Sequence, residues 1–479
     1  MHARTAILAL VVTAPLLAGC LGQSAVTPEG LPIPALPAQL PRFEYRCPGQ
    51  EDSRSTACIT ELTRDDATLQ EPYVAVHPTD PAIMAVGVNY GPSLIERVQN
   101  APEKGLEVCK LAIYVTKDGG KSWDETFAPP PPYDLSPLPV LTTPCAGDPA
   151  LVFDPQGRLH VTGIAAPLPI TDNLPVVGAT DGGFRTFYVR SDDLGATWTD
   201  PLFLDDNGPQ DRNWITRDPA TGALFVVWQN TAGMLTNWTT EVAWSTDDGA
   251  TWEHPDAAQL PLCHTDGPVV MHAGQPLFTC SNTTEQQEAR VQVFVLDPAT
   301  GDSTMRSQLV EQGYWPVLNK LADGKLVLRY DDFTGDTQLL WSNDGGRTWS
   351  APSSLRGLTD GAWDMVQAYW AEADPWGGLH ILAVLERPMG EPPVVGDLLL
   401  FEYEIRHVVI DRDGAVSQET PLAAWSTLDP PPIRLAEALG DHYYGIAWGP
   451  DAALLAFTRN AAVQLTETVP VLPVPTATA

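Results

Sequence analysis

Acidic and aromatic residues recur wherever a short apolar strand is about to begin. The places read Glu71-Pro72-Tyr73, Asp148-Pro149, Asp211-Arg212-Asn213-Trp214, Asp266-Gly267 and Tyr314-Trp315, then Asp364 to Tyr369 and Asp441-His442-Tyr443-Tyr444. Carboxylates accept hydrogen bonds from hydroxyls, and aromatic faces pack on flat ring surfaces. A funnel of both, with one guanidinium at Arg212, suits a polar, ring-shaped ligand such as a sugar. The candidate ligand-binding residues are Glu71, Asp148, Asp211, Trp214, Asp266, Trp315, Asp441 and His442. Arg212 and Tyr443 break the acidic pattern and are the candidates for catalysis. The competing reading is structural: an Asp or Glu ahead of a strand can simply hydrogen-bond neighbouring backbone groups, repeat after repeat.

These residues need elements to carry them, and the chain repeats one such element. An apolar strand, a tight turn and a second apolar strand recur at 73–88, 150–164, 214–228, 268–280, 315–330, 369–384 and 443–458. Near-continuous apolar runs of this length suit strands buried on both faces. A second pattern, S/T-x-D-x-G-x-x-W, appears at Thr116–Trp123, Ser191–Trp198, Ser245–Trp252 and Ser342–Trp349. Its Asp can accept from backbone N–H groups, its Gly supplies a conformation that a Cβ opposes, and its Trp packs back on the turn. Worn versions stand at Asp297–Gly301 and Asp411–Gly414.

This turn resembles the Asp-box, or bacterial neuraminidase repeat, of the sialidase-like β-propellers. The phrases EPYVAVHPTDPAIMAVG, GDPALVFDPQGRLHV and DRNWITRDPATGALFVVW are similar to those of an exported lipoprotein subgroup of that family. The resemblance implies an all-β propeller, in which repeated β units share a buried core. Seven hairpins favour seven four-stranded blades; six, the number in the sialidase enzymes, is the alternative. The last blade lacks room for a fourth strand, which the segment near Phe43–Tyr45 is expected to supply. In such a blade the turns joining strands one to two and three to four lie on one face. The long insertions, at 89–108, 129–147, 165–183 and 426–441, fall on the other. A single loop-rich face is where a ligand is expected.

Sialidases of this family hold the substrate carboxylate with three Arg residues and use a Tyr nucleophile, a Glu partner and an Asp acid/base. Here Glu71 stands where the first motif Arg is expected, and a carboxylate there repels an anionic sugar acid. Tyr443 in Tyr443-Tyr444-Gly445-Ile446-Ala447 matches the nucleophile, and Arg212 matches one of the Arg cluster by position. Two functions follow. One is recognition of a glycan or another surface ligand through the loop-rich face. The alternative is exo-acting, sialidase-type glycoside hydrolysis. Whether the chain is an enzyme stays open at this point.

Composition sets the remaining bounds. The 479 residues carry 60 acidic against 27 basic side chains, a net charge of −33, which argues against nucleic acid as a partner. Arg4, the apolar run Ala6 to Leu17 and Leu17-Ala18-Gly19-Cys20 read as an export signal whose end resembles a prokaryotic lipobox. The expected organisation is a signal at 1–20 with lipid on Cys20, a Pro-rich tether at 21–44, a propeller at 45–469 and a tail at 470–479. That places a monomer on the cell membrane, facing outside. The remaining cysteines, in an exported chain, suggest the pairs Cys47–Cys58, Cys109–Cys145 and Cys263–Cys280. No C-x-x-C occurs, and no cofactor is expected. Calcium is the one ion the sequence raises, at Asp331–Asp336 and Asp205–Gly208, where the competing reading is a solvated turn.

Overall fold

The computed structural model describes residues 69–90, 110–132, 142–171, 174–175, 183–206, 209–231, 238–255, 263, 265–283, 289–310, 313–359, 363–389, 394–395, 398–399 and 401–426. Toward the chain ends it describes the strands 45–47, 50–55, 59–61, 445–448, 453–459 and 466–470.

Six antiparallel meanders follow one another and form the six blades of a β-propeller. Blade one is Leu69–Val76, Met84–Tyr90, Lys110–Thr116 and Asp124–Ala128. Blade two is Thr142–Phe153, Leu159–Thr171, Arg185–Ser191 and Leu202–Phe203. Blade three has Gln210–Arg217, Leu224–Asn230 and Thr239–Ser245, with a single bridge from Trp244 to Glu253 in place of a fourth strand. Blade four is Val270–His272, Gln275–Thr283, Ala289–Leu296 and Ser303–Val310. Blade five is Tyr314–Lys320, Leu326–Asp331, Thr337–Ser342 and Ser353–Ser354. Blade six is Met365–Ala373, Leu379–Pro388, Phe401–Ile410 and Val416–Ser426.

The favoured count of seven blades is therefore corrected to six. The hairpin read as the seventh yields only a four-residue first strand, Gly445–Trp448. It joins Ala453–Arg459, Thr466–Pro470 and Ile59–Glu61 in a sheet made from both chain ends, which lies against Leu69–Val76 and Met365–Ala373. The N-terminal partner in that sheet is also not the segment expected. Tyr45–Cys47 folds back on Gln50–Ser55 instead.

Apolar side chains fill the slots between neighbouring blades. Leu111 and Ile113 of blade one pack with Leu151, Phe153, Val161 and Phe187 of blade two. Val327 and Leu339 of blade five pack with Ile381, Leu385 and Val408 of blade six. A blade buries both faces only when it has a neighbour on each side, so the ring is the unit that folds.

The Asp-box turns are built as their residue types demand. Asp118 Oδ1 accepts from the N–H groups of Lys121 and Ser122 at 3.0 Å each, and Oδ2 from the Ser122 hydroxyl at 2.7 Å. Thr116 Oγ1 accepts from Gly120 N at 2.9 Å. Asp193, Asp247 and Asp344 repeat the arrangement with Thr197, Thr251 and Thr348. The Ser122 hydroxyl and N–H hold the Asp118 carboxyl down at about 2, and Thr251 does the same for Asp247.

The outer turns of blades two, three, five and six then dock on the preceding blade. The Thr126 hydroxyl of blade one donates to Gly195 O at 2.8 Å and accepts from Trp198 Nε1 at 3.4 Å. Ser307 of blade four treats Gly346 O and Trp349 Nε1 the same way, at 2.8 and 3.2 Å. Tyr188 and Arg190 of blade two both donate to Asp248 O, at 3.2 and 2.9 Å. The worn turn of blade six does likewise, its Arg412 O accepting from Lys325 Nζ at 2.6 Å. Arg158, beside the first turn of blade two, pairs with Asp248 at 2.8 Å, so the short turns and Asp-boxes share one face as expected.

Gly249 shows how tightly this docking fits. Its φ is +81°, and a Cβ there would fall 2.1 Å from Tyr188 Oη. Gly119, at φ +72° in the blade-one turn, has nothing within 4 Å. Gly249→Ala should therefore cost about 2–4 kcal/mol, from strain plus the clash, and Gly119→Ala about 1 kcal/mol. Thermal denaturation of the two variants checks the order; equal losses would mean the turn is not seated on Tyr188.

Candidate functional site

The site is assembled at the start of the first strands, on the face opposite the Asp-boxes. Five of the six first strands slip register there, between Gln70 and Tyr73, Gly147 and Ala150, Asp211 and Trp214, Tyr314 and Val317, and Ala368 and Trp370. Such bulges bend a strand and re-aim a side chain. At four of them a non-glycine residue takes positive φ: Glu71 at 54°, Asp148 at 51°, Arg212 at 49° and Trp315 at 49°. Pro72, Pro149 and Pro316 follow three of these, and a proline has no N–H to lose from the ladder. The strained positions coincide with residues singled out from sequence, and strain of this kind concentrates at functional sites.

A belt of hydrogen bonds links the bulges from blade to blade. Asn89 Nδ2 donates to Glu71 Oε2 at 2.7 Å, while Asn89 Oδ1 accepts from Asp148 N at 2.6 Å. Asn213 Nδ2 donates to Asp148 O at 2.8 Å. Arg212 Nη1 donates to Asp266 Oδ1 at 2.7 Å, and Gln229 Nε2 reaches Thr265 O. Thr279 Oγ1 donates to Pro316 O at 2.6 Å, Arg329 donates to Ala368 O, and Thr337 Oγ1 accepts from Ala368 N at 2.7 Å. The belt satisfies backbone groups that the bulges remove from the ladder.

The electrostatics are acidic at the centre. Burial, then the charge of Asp148 and a hydrogen bond with its carboxyl, push Asp211 up to about 7. Asp331 rises to about 6, mainly through burial, although Arg329 and the Thr337 hydroxyl pull the other way. The Arg212 guanidinium, paired with Asp266, lies 5.9 Å from the Trp315 ring centre. Tyr314 continues the aromatic edge, meeting the exposed Phe333 ring at 4.5 Å between centroids.

This is an Asp-box β-propeller of six blades. No family model matches the chain, and no curated protein does either. Among solved structures, it is similar to a protein of unknown function from Dyadobacter fermentans DSM 18053 at 14% identity, covering 87% of this chain and 98% of that one, with a TM-score of 0.45. A Hadza microbial sialidase matches at 14% identity over 77% of this chain and 74% of its own, TM-score 0.42. The Trypanosoma rangeli sialidase in complex with the inhibitor DANA matches at 12% identity over 85% of this chain and 55% of its own, TM-score 0.40. Likeness this distant says nothing of what this propeller binds.

The propeller brings Glu71, Asp148, Asp211, Arg212, Asp266 and Trp315 to one face through the belt and its bulges. Trp214 goes elsewhere: it is buried in a core cluster with Cys263 and Cys280. Asp441, His442 and Tyr443 lie outside the described residues, as do Cys20, Cys58 and Cys109. Of Cys47 only the backbone course is described. Cys263 and Cys280 are bonded, with Cα atoms 5.6 Å apart, as expected, and Cys145 is also disulfide-bonded.

The acidic turn raised for calcium is internally engaged: Asp332 accepts from Thr334 N at 2.8 Å and Gln338 Nε2 at 2.8 Å, and Asp336 pairs with Arg356 at 2.7 Å. Among the described residues no group of three or more His, Cys, Asp or Glu is arranged to hold a metal ion.

Sequence reasoning missed Asn89, Gln229, Arg329 and Asn213. A signal was present for the first three: polar residues interrupt the otherwise apolar second strands near their far ends.

The Asp211 proton has a consequence for stability. A carboxyl raised in the fold holds a proton that the unfolded chain has released above about pH 4. Its contribution is complete below that pH and is lost as pH rises toward 7. Asp211 should therefore make stability, read as melting temperature, fall between about pH 4 and 7, its own share of the slope reaching about 1.4 kcal/mol per pH unit at most. In Asp211→Asn that decline should flatten, and an unchanged slope would show that Asp211 is not the proton holder.

Proposed function

We propose that this chain is a recognition propeller that binds a glycan at its bulge-lined mouth. The observation that carries the reading is the convergence of Glu71, Asp148, Arg212 and Trp315 at four strained bulges on one face. Carboxylates, one guanidinium and an aromatic edge of Tyr314, Trp315 and Phe333 match hydroxyl-rich rings with apolar faces. The acidic balance favours a neutral or amine-bearing glycan over a sugar acid.

Hydrolysis is the second reading, and Asp211 is what favours it, since a carboxyl near 7 can act as a general acid. Two points weigh against it. Carboxyl pairs that cleave glycosides stand about 5 Å or more apart to flank the bond. Asp148 and Asp211 instead share a hydrogen bond. A sugar acid also needs uncommitted cations, whereas Arg212 is taken by Asp266 and Arg329 is buried against Ala368.

Glycan-array binding by the exported chain tests the proposal. Trp315→Ala and Arg212→Ala should each weaken binding about tenfold or more. Turnover of a fluorogenic sialoside, abolished in Tyr443→Phe, would replace recognition with catalysis. The same reading puts the propeller on a membrane through lipid on Cys20. Cys20→Ser should then move the protein from the membrane fraction to the soluble fraction, and retention in the membrane would exclude that anchor.

A further inference from the structure

Beneath the mouth, the axis of the ring holds a separate cavity of about 540 Å³. Its walls are the first strands of the blades, and its rim includes Pro78, Pro155 and Pro219 from the short turns. It therefore opens on the Asp-box face. Toward the mouth, Tyr73 and Trp370 meet edge to face at 5.7 Å.

Three polar side chains stand out in this apolar shaft. Strand alternation turns Trp370 and Glu372 to the axis and Ala371 to the core between blades five and six. Glu372 makes no hydrogen bond or ion pair among the described residues. Burial pushes its carboxyl up to about 8, so near neutral pH it holds a proton that it can donate. Arg217 and Lys320 also line the cavity, and neither meets a carboxylate among the described residues. The Arg217 guanidinium reaches the rim: a Cβ on Gly222, in the short turn of blade three, would lie 2.9 Å from its Nη2. Free cations are notable here, because the chain carries 60 acidic side chains for 27 basic ones.

We propose that the axial cavity is a second binding site, for a small amphipathic anion. Its carboxylate or sulfonate head meets Arg217 and Lys320 at the turn face, and its apolar body lies along the half-buried Val152 and Val270. An acceptor at its inner end takes a hydrogen bond from Glu372. A wholly apolar guest leaves Glu372 unpaired, and a cationic one meets two positive charges at the entrance. A bare inorganic anion leaves the apolar shaft unfilled.

The test titrates the full chain with 8-anilinonaphthalene-1-sulfonate, which carries a sulfonate on an apolar double ring. Saturable fluorescence enhancement at a single site, displaced by decanoate, is expected. Arg217→Ala/Lys320→Ala should weaken that binding about tenfold or more. Both changes are at the rim, so the melting temperature should hold, and glycan binding at the mouth should be untouched. Val270→Phe, which fills the shaft, should reduce the number of probe molecules bound without altering the rim. Equal affinity in the double variant, or enhancement that fails to saturate, would overturn the proposal.

Discussion

A carboxylate that ties down its own turn is the interaction on which this ring depends. Asp118, Asp193, Asp247 and Asp344 each take backbone N–H groups and a hydroxyl, and that set of bonds turns a flexible connection into a rigid knob. Rigidity matters because the knob is read by the next blade along. Thr126, Tyr188 and Ser307 all contact carbonyl groups whose positions those turns fix. On the opposite face the belt from Asn89 to Ala368 does the same work with different residues. Apolar slots between the blades supply the driving force, and these two rings of polar contacts set the angle at which blades meet.

Strain at the mouth becomes intelligible in that frame. Four non-glycine residues at positive φ cost about 1 kcal/mol or more each, and they persist only where their surroundings hold them. The belt holds them: Asp148 is gripped through its N–H by Asn89 and through its carbonyl by Asn213. Scaffold and site are thus not alternatives here. The carboxylates that could merely satisfy neighbours do so in part, as Asp266 does for Arg212, yet the bulges that aim them are dearer than a plain strand would be. A ring assembled only for stability has no use for that strain.

Much of this was legible in the residues. The Asp-box turns, the first hairpin of each blade and the division of short and long connections between two faces follow from residue types and spacing. The blade count did not, because a hairpin's apolar pattern is the same whether it heads a blade or completes a sheet made from both chain ends. Trp214 was misplaced for a related reason. A bulge adds one residue, so the side-chain alternation reverses across it. Asp211 and Arg212 lie before that reversal, and Trp214, beyond it, turns into the core beside Cys263. Asn89 and Gln229 escaped notice because a polar residue near the end of an apolar strand does not say which backbone group of the next blade it will meet.

The two faces also differ in charge. The mouth gathers Glu71, Asp148, Asp211 and Asp266 around the committed guanidinium of Arg212, while Arg217 and Lys320 in the cavity beneath meet no carboxylate among the described residues. Between them, Tyr73 and Trp370 meet edge to face. In so acidic a chain, two more carboxylates on neighbouring first strands would have neutralised both cations. The half-buried apolar residues of the cavity wall, Val152 and Val270, offer them no countercharge. The one carboxyl present, Glu372, is held protonated by its burial and so cannot serve as their counterion near neutral pH. Cations that meet no carboxylate among the described residues, beside an apolar shaft, leave an electrostatic demand that an anion entering from the Asp-box face would meet.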